Sequence, residues 1–212
     1  MNTPADPSQA AEASAPMATL RLSGMPGDRN LKAMCDYLAG LMRVDVAPIH
    51  QHQPLHYQAG LRTVPGASWG SSQASAVSTT RTAAFCKDGQ DDLMLVMPSV
   101  NMTIGQPGRE ALRVRPGDGA LLSQARPMQI VMEQAGASWA LRVPQRDVAR
   151  MLPSLSDAPM LVLRQGTPML QLLQSFGRLL ESDPLRGSAS QQLAGRQLQD
   201  MLAVALGGSD DY

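Results

Sequence analysis

The spacing of apolar residues changes twice along this chain. In "NLKAMCDYLAGLMRVD", which starts at residue 30, apolar residues recur at three- and four-residue steps behind Asn30, which is placed to cap a helix. From about residue 54 to 143 the apolar runs become short, often alternate with polar residues, and are interrupted by Gly, Pro and Asp, as in "ALRVRPGDG", "MQIVM" and "SWALRV". This pattern predicts one amphipathic helix followed by about eight short strands in an antiparallel sandwich or barrel.

Helical spacing returns towards the end of the chain. "GTPMLQLLQSFGRLLESDP" has Thr167 as a cap and Pro168 in the first turn, and "SASQQLAGRQLQDMLAVALGG" starts with a Ser188-x-x-Gln191 capping box. Apolar positions cover about half the circumference of each helix, which is more than a helix resting on a single sheet needs. The surplus predicts contact with the other helix of the hairpin, with a second chain, or with both.

These patterns predict an α+β fold that is mainly β. Residues 1–29 are rich in Ala, Pro and Ser without apolar periodicity, so we predict a disordered leader. Residues 30–152 would form the first helix and the β-domain, residues 153–166 a linker, and residues 167–207 the helical hairpin.

Composition excludes several classes of function. Eighteen basic residues balance eighteen acidic ones, so nothing favours direct binding to nucleic acid or to an anionic membrane. No apolar run approaches the roughly 20 residues of a membrane span, and the first residues do not have the pattern of a signal peptide, so we expect a cytoplasmic protein. Only 3% of residues are aromatic while 14 are Met, which predicts an aliphatic core that suits an adaptable cavity.

Catalytic motifs are weak. The three histidines, His50, His52 and His56, all lie in "PIHQHQPLHYQAG", and their spacing resembles the first metal motif of metal-binding cupins. Those sites also need a later histidine, which this chain lacks. A polar loop is therefore one interpretation and a metal-dependent cupin enzyme is the alternative; we expect no metal, no cofactor and no enzymatic activity.

Four motifs taken in order resemble AraC/XylS-type transcription regulators. They are "RVRPGDGALLSQARP", "SWALRVPQRDVARMLP", "GTPMLQLLQSFGRLLES" and "LQDMLAVALGG", and the resemblance extends over roughly residues 30–208. It is to the sensor half of that family, and it implies a cupin-like antiparallel β-barrel that holds a small effector and a helical hairpin that dimerises. It also implies that DNA is bound through a helix-turn-helix domain, which this chain does not contain. An interaction domain without a small ligand is an alternative.

Candidate effector contacts follow from strand parity. The expected ligand-binding residues are Trp69, Arg81, Met97, Met128, Ile130, Trp139 and Leu141. Arg81 shares strand parity with Val77 and Phe85, and a guanidinium facing inward would suit an organic acid. The alternative is that Arg81 points to solvent or pairs with an acidic side chain.

The last helix is the candidate for a homodimer contact. Its expected seam is Leu198, Met201, Leu202 and Ala205, flanked by polar residues. In a symmetric dimer the same patch on each chain would meet its twin.

Overall fold

The structure, a computed structural model, describes residues 17–152, 160–182 and 185–207. The strands are β1 (Met17–Gly24), β2 (Asp45–Pro48), β3 (Leu55–Val64), β4 (Ala67–Ala74), β5 (Val77–Arg81), β6 (Leu93–Pro98), β7 (Met102–Gly105), β8 (Leu112–Val114), β9 (Gly119–Ser123), β10 (Met128–Met132), β11 (Gly136–Val143) and β12 (Leu161–Leu163). The helices are α1 (Asp28–Leu38), α2 (Gln145–Met151), α3 (Pro168–Ser182) and α4 (Ser188–Gly207), and Phe85–Lys87 forms a short 3₁₀ helix.

The strands form two antiparallel sheets. One has seven strands in the order β1-β3-β4-β11-β6-β9-β12, and the other has five in the order β2-β5-β10-β7-β8. With α1 among the first elements and the α3–α4 hairpin at the end, the predicted α+β, mainly β class is confirmed. Among the described strands, the two sheets are not joined into one closed barrel.

The seven-stranded sheet is covered on both faces at β6 and β9, so every residue of these two strands is buried. Leu95 belongs to a core cluster with α3 and α4, whereas its neighbour Val96 belongs to a second cluster with α1 and the five-stranded sheet. The sheet is therefore a wall between two separate cores.

Two regular elements lie where the sequence predicted none. Residues 17–24 were placed in the leader but form β1, which pairs with β3 along its whole length. Leu20 and Leu22 pack against the core while Arg21 between them is exposed. This alternation is too short to stand out in an Ala-, Pro- and Ser-rich context. β12 lies within the predicted linker, and pairs with β9. The helix α1 also begins within the predicted leader, at Asp28, which is two residues before the predicted cap Asn30. Residues 1–16 of the predicted leader and residues 153–159 of the predicted linker lie outside the described residues.

The two C-terminal helices pack against each other and against the seven-stranded sheet. Within the described ranges, no helix combines the length and the apolar character that crossing a membrane requires.

Candidate functional site: an apolar cavity between the sheets

A cavity of about 110 Å³ lies between the two sheets, with α1 against it. Its lining is mainly apolar and includes five methionines, Met34, Met42, Met94, Met102 and Met132. α1 and the residues that follow it add Leu38 and Leu41. Pockets lined mainly by apolar side chains with a few polar groups are the usual form of a small-molecule site.

No charged side chain is among the described residues that line this cavity. Most of its hydroxyl groups already have partners. The Tyr37 hydroxyl donates to the carbonyl oxygen of Ala18 at 3.1 Å, and the Ser72 and Ser138 hydroxyl oxygens lie 2.9 Å apart. Ser71 donates to the Glu181 carboxylate at 2.9 Å. Thr79 is partly exposed at the edge of the cavity.

Two tyrosines, Tyr37 and Tyr57, line the cavity. Their rings meet edge to face, with centroids 6.1 Å apart. Burial raises the pKa of Tyr37 to about 12, with a smaller contribution from the negative charge of Glu181. Burial raises the pKa of Tyr57 well above its usual range, with Tyr37 adding to the effect. Both phenols are therefore protonated at neutral pH and can act as hydrogen-bond donors.

The predicted apolar ligand-binding residues are divided between the two core clusters. Ile130 lines the cavity, and Met128 belongs to the same core cluster without lining it. The other four apolar candidates face α3 and α4 instead; they are Trp69, Met97, Trp139 and Leu141. Parity correctly grouped Trp139 with Leu141, but it could not tell whether their face borders the cavity or the C-terminal helices.

Arg81 does not contact the cavity either. Its guanidinium is fully buried and forms an ion pair with Asp88, with Nη2 2.9 Å from Oδ1. It also donates to the carbonyl oxygens of Gln124, Arg43 and Gln90. Since a guanidinium has five N–H donors and all five are used here, Arg81 has none left for an effector carboxylate. The structure therefore agrees with the alternative interpretation, in which Arg81 pairs with an acidic side chain, here Asp88.

The predicted dimer seam is mostly buried within the chain. Leu198 and Leu202 are 0% exposed and Ala205 is 1% exposed, and all three pack in the cluster between the helices and the sheet. Met201 is half-buried against the same cluster. These residues cannot form an interface without unpacking the core, so the predicted seam is wrong for the three buried residues. Apolar side chains that α3 and α4 do expose are Leu172, Leu179, Leu193 and Val204.

The histidines do not assemble into a metal site. Among the described residues, no three His, Cys, Asp or Glu side chains are placed to share an ion. His50 and His56 line a surface groove with Glu133, while His52 is exposed in a turn. The His56 Nδ1 atom lies 3.0 Å from the Ser23 hydroxyl.

The seven-stranded sheet, which borders the cavity on one face, contacts α3 on its other face. On the helix-facing side of β4, the Trp69 Nε1 atom donates to the carbonyl oxygen of Gly177 at 3.1 Å. On β11, the Trp139 Nε1 atom donates to Glu181 at 3.0 Å. Burial raises the pKa of Glu181, and the hydrogen bonds from Ser71 and Trp139 lower it in part. β4 and β11 therefore have the cavity on one face and α3 on the other.

Comparison with known proteins identifies the family of this domain. The sequence matches the AraC-binding-like domain over residues 40–207. No curated protein sequence matches significantly. The AraC-like transcriptional activator CuxR is similar in structure, with a TM-score of 0.71 and 16% identity over 90% of this chain and 70% of CuxR.

Two other solved structures are similar only over limited regions. KdgF from Halomonas sp. has a TM-score of 0.34 and 17% identity, over 49% of this chain and 88% of KdgF. A ToxT variant from Vibrio cholerae has a TM-score of 0.38 and 10% identity, over 56% of this chain and 45% of ToxT. These two likenesses are too weak to carry an argument. The likeness to CuxR shows a shared fold.

Proposed function

From the premise that this chain belongs to the family of AraC-binding-like domains, we propose that it is the effector-sensing part of an AraC-type transcription regulator. In this proposal a small molecule occupies the cavity between the sheets, the helical hairpin transmits its presence, and a separate domain binds DNA in the cytoplasm. The chain itself has no catalytic role.

The observation that carries the proposal is the shared wall. A ligand that displaces Ser138 or Ala140 on the cavity side of β11 moves the strand that holds Trp139. Trp139 is hydrogen-bonded to Glu181 on α3, so the displacement reaches the hairpin through one strand. Densely packed interiors transmit such shifts because they have little free volume to absorb them.

Methionine methyl groups offer a direct test of occupancy. We would label the 14 methionines with ¹³C at their methyl groups and titrate benzene, which an apolar cavity of about 150 Å³ in another protein binds. The five cavity methionines should shift, whereas Met97, in the other core cluster, should not. Ala140→Leu should abolish the shifts by filling the cavity. Ala137→Leu, on the same strand but outside the cavity lining, should preserve them.

Tryptophan fluorescence tests transmission in the same titration. The chain has only two tryptophans, and both donate to α3 without lining the cavity. Their emission should change with the same midpoint as the methionine shifts. Shifts without any change in emission would contradict transmission through β4 and β11, and unchanged methionine signals would contradict the cavity as the effector site.

We also propose that the exposed face of the hairpin pairs two copies of the chain. Leu172 and Leu179 are seven residues apart on α3, so both lie on one face, and they are 51% and 62% exposed. Leu193 on α4 is 55% exposed. Changing Leu179 and Leu193 together to Glu should convert a dimer into a folded monomer in sedimentation experiments. Met25→Glu, which alters an equally exposed residue outside the hairpin, should leave the dimer intact; a monomeric wild-type chain at high micromolar concentration would contradict the proposal.

A further inference from the structure

One hydroxyl group in the lining of the cavity, that of the buried residue Tyr57, has no hydrogen bond to any described residue. The residue is only 3% exposed. Its ring is held edge to face against Tyr37, so the group is fixed in position. A hydroxyl group that faces an apolar cavity can donate to a ligand there without giving up a hydrogen bond within the protein.

Most nearby hydroxyl groups are already engaged. The Tyr37 hydroxyl donates to Ala18, and one of the Ser72 and Ser138 hydroxyls donates to the other, which leaves that pair a single proton to offer. Thr79 is partly exposed and so within reach of water. Tyr57, which is buried and has no hydrogen bond among the described residues, is the donor that we assign to a buried ligand.

The same lining excludes charged ligands. An ionised carboxylate or ammonium group would lose its hydration without gaining an ion partner, because no described lining residue is charged. The methionine side chains around Tyr57 are flexible and polarisable, so they can accommodate ligands of irregular shape.

We propose that the cavity binds a small, neutral, mainly apolar molecule with one hydrogen-bond acceptor, such as a ketone or an ester, and that the Tyr57 hydroxyl donates to that acceptor. This inference rests on the proposed function, because it names the ligand class of the same cavity. It replaces the organic acid that the sequence suggested through Arg81.

Three probes of similar shape test the proposal: acetophenone has a carbonyl acceptor, ethylbenzene has none, and benzoate is charged. Binding is followed by the ¹³C-methionine shifts in the wild type, in Tyr57→Phe and in the control Tyr37→Phe. The wild type should prefer acetophenone to both other probes. Tyr57→Phe should weaken acetophenone binding about 3- to 10-fold and leave ethylbenzene binding unchanged. Tyr37→Phe should keep the preference for acetophenone over ethylbenzene, because its hydroxyl already donates to Ala18.

Each outcome has a distinct meaning. If acetophenone and ethylbenzene both bind but Tyr57→Phe weakens neither, the role of Tyr57 is refuted while the cavity remains the effector site. If benzoate binds the wild type as tightly as acetophenone, the neutral ligand class is refuted. If no probe shifts the cavity methionines, the proposed function fails together with this inference. If Tyr57→Phe does not fold, the wild type alone tests the ligand class: it should bind acetophenone more tightly than ethylbenzene, and equal binding would refute the need for an acceptor.

Discussion

Replacing Arg81 with Met should destabilise the fold rather than alter a ligand site. Met keeps an unbranched aliphatic stem like that of Arg but lacks all five N–H donors of the guanidinium. The Asp88 carboxylate would lose its ion pair, and the carbonyl oxygens of Gln124, Arg43 and Gln90 would each lose a donor.

The magnitude follows from the burial of the pair. Removing one partner of a buried ion pair costs about 3–5 kcal/mol. The Arg81 side chain is 0% exposed but that of Asp88 is 11% exposed, so water can relieve part of the loss. We therefore expect a loss of about 3–4 kcal/mol in the free energy of unfolding. For a domain of this size, that lowers Tm by roughly 6–16 °C.

Urea unfolding and thermal melts, followed by tryptophan fluorescence, would measure the loss. Arg142→Met is the matched control, because Arg142 pairs with Asp92 at 3.5 Å while the two side chains are 21% and 24% exposed. Partly exposed pairs contribute less than about 1 kcal/mol. If Arg81→Met is no less stable than Arg142→Met, the structural role assigned to Arg81 is wrong.

The same pair should confer a pH dependence. The hydrogen bond from Arg81 holds the pKa of Asp88 below its ordinary value of 3.8, against an opposing effect of burial. A lowered pKa contributes stability that is fully present above the ordinary value and is lost as pH falls through the folded-state value. The stability difference between the wild type and Arg81→Met should therefore be constant near neutral pH and shrink below pH 3.8.

Two further predictions concern the attachment of the C-terminal helices. Gly195→Ala should destabilise the chain by about 1–3 kcal/mol in urea unfolding, because a Cβ atom at this position would lie 2.1 Å from the carbonyl oxygen of Pro65. Ala is the better helix former, so an increase in stability would show that α4 can move away from this turn. Asp118→Asn should cost about 1.5–3 kcal/mol at neutral pH, because Asp118 accepts from the backbone N–H of Gln165 at 2.7 Å. Burial raises the pKa of Asp118, but its hydrogen bonds lower it more, so its contribution should fade in acid melts below pH 3.8; a loss that is equal at pH 3 and pH 7 would contradict this assignment.

Local patterns were sufficient for most regular elements because those patterns are properties of neighbouring residues. Apolar spacing predicted α3 and α4, whose first residues are Pro168 and Ser188. The alternation in "SWALRV" predicted β11. β1 was missed because its two core-facing leucines are the only local signal, and its pairing with β3 is a long-range contact.

The cavity could be anticipated only in outline. The abundance of Met suggested an adaptable core, and five methionines do line the cavity. Tyr57 carried no signal in the sequence, because its importance depends on where tertiary packing places its hydroxyl: in the cavity lining, with no hydrogen bond to a described residue. Only the folded chain shows that its neighbours are already hydrogen-bonded to other groups.

The sequence by itself determined which residues share a face, and the tertiary structure decided what each face meets. Period-two alternation groups Trp139 with Leu141 whatever the fold. On β11, Trp139 and Leu141 are buried whereas Ser138 and Ala140 on the other face are only half-buried. The alternation separates these two faces, but it cannot say that the first borders α3 and the second borders the cavity. The same limit explains Arg81 and Leu198. An isolated charge or an apolar stripe shows that a partner is needed, but whether that partner is a ligand, a second chain or the protein's own core depends on contacts between residues far apart in sequence.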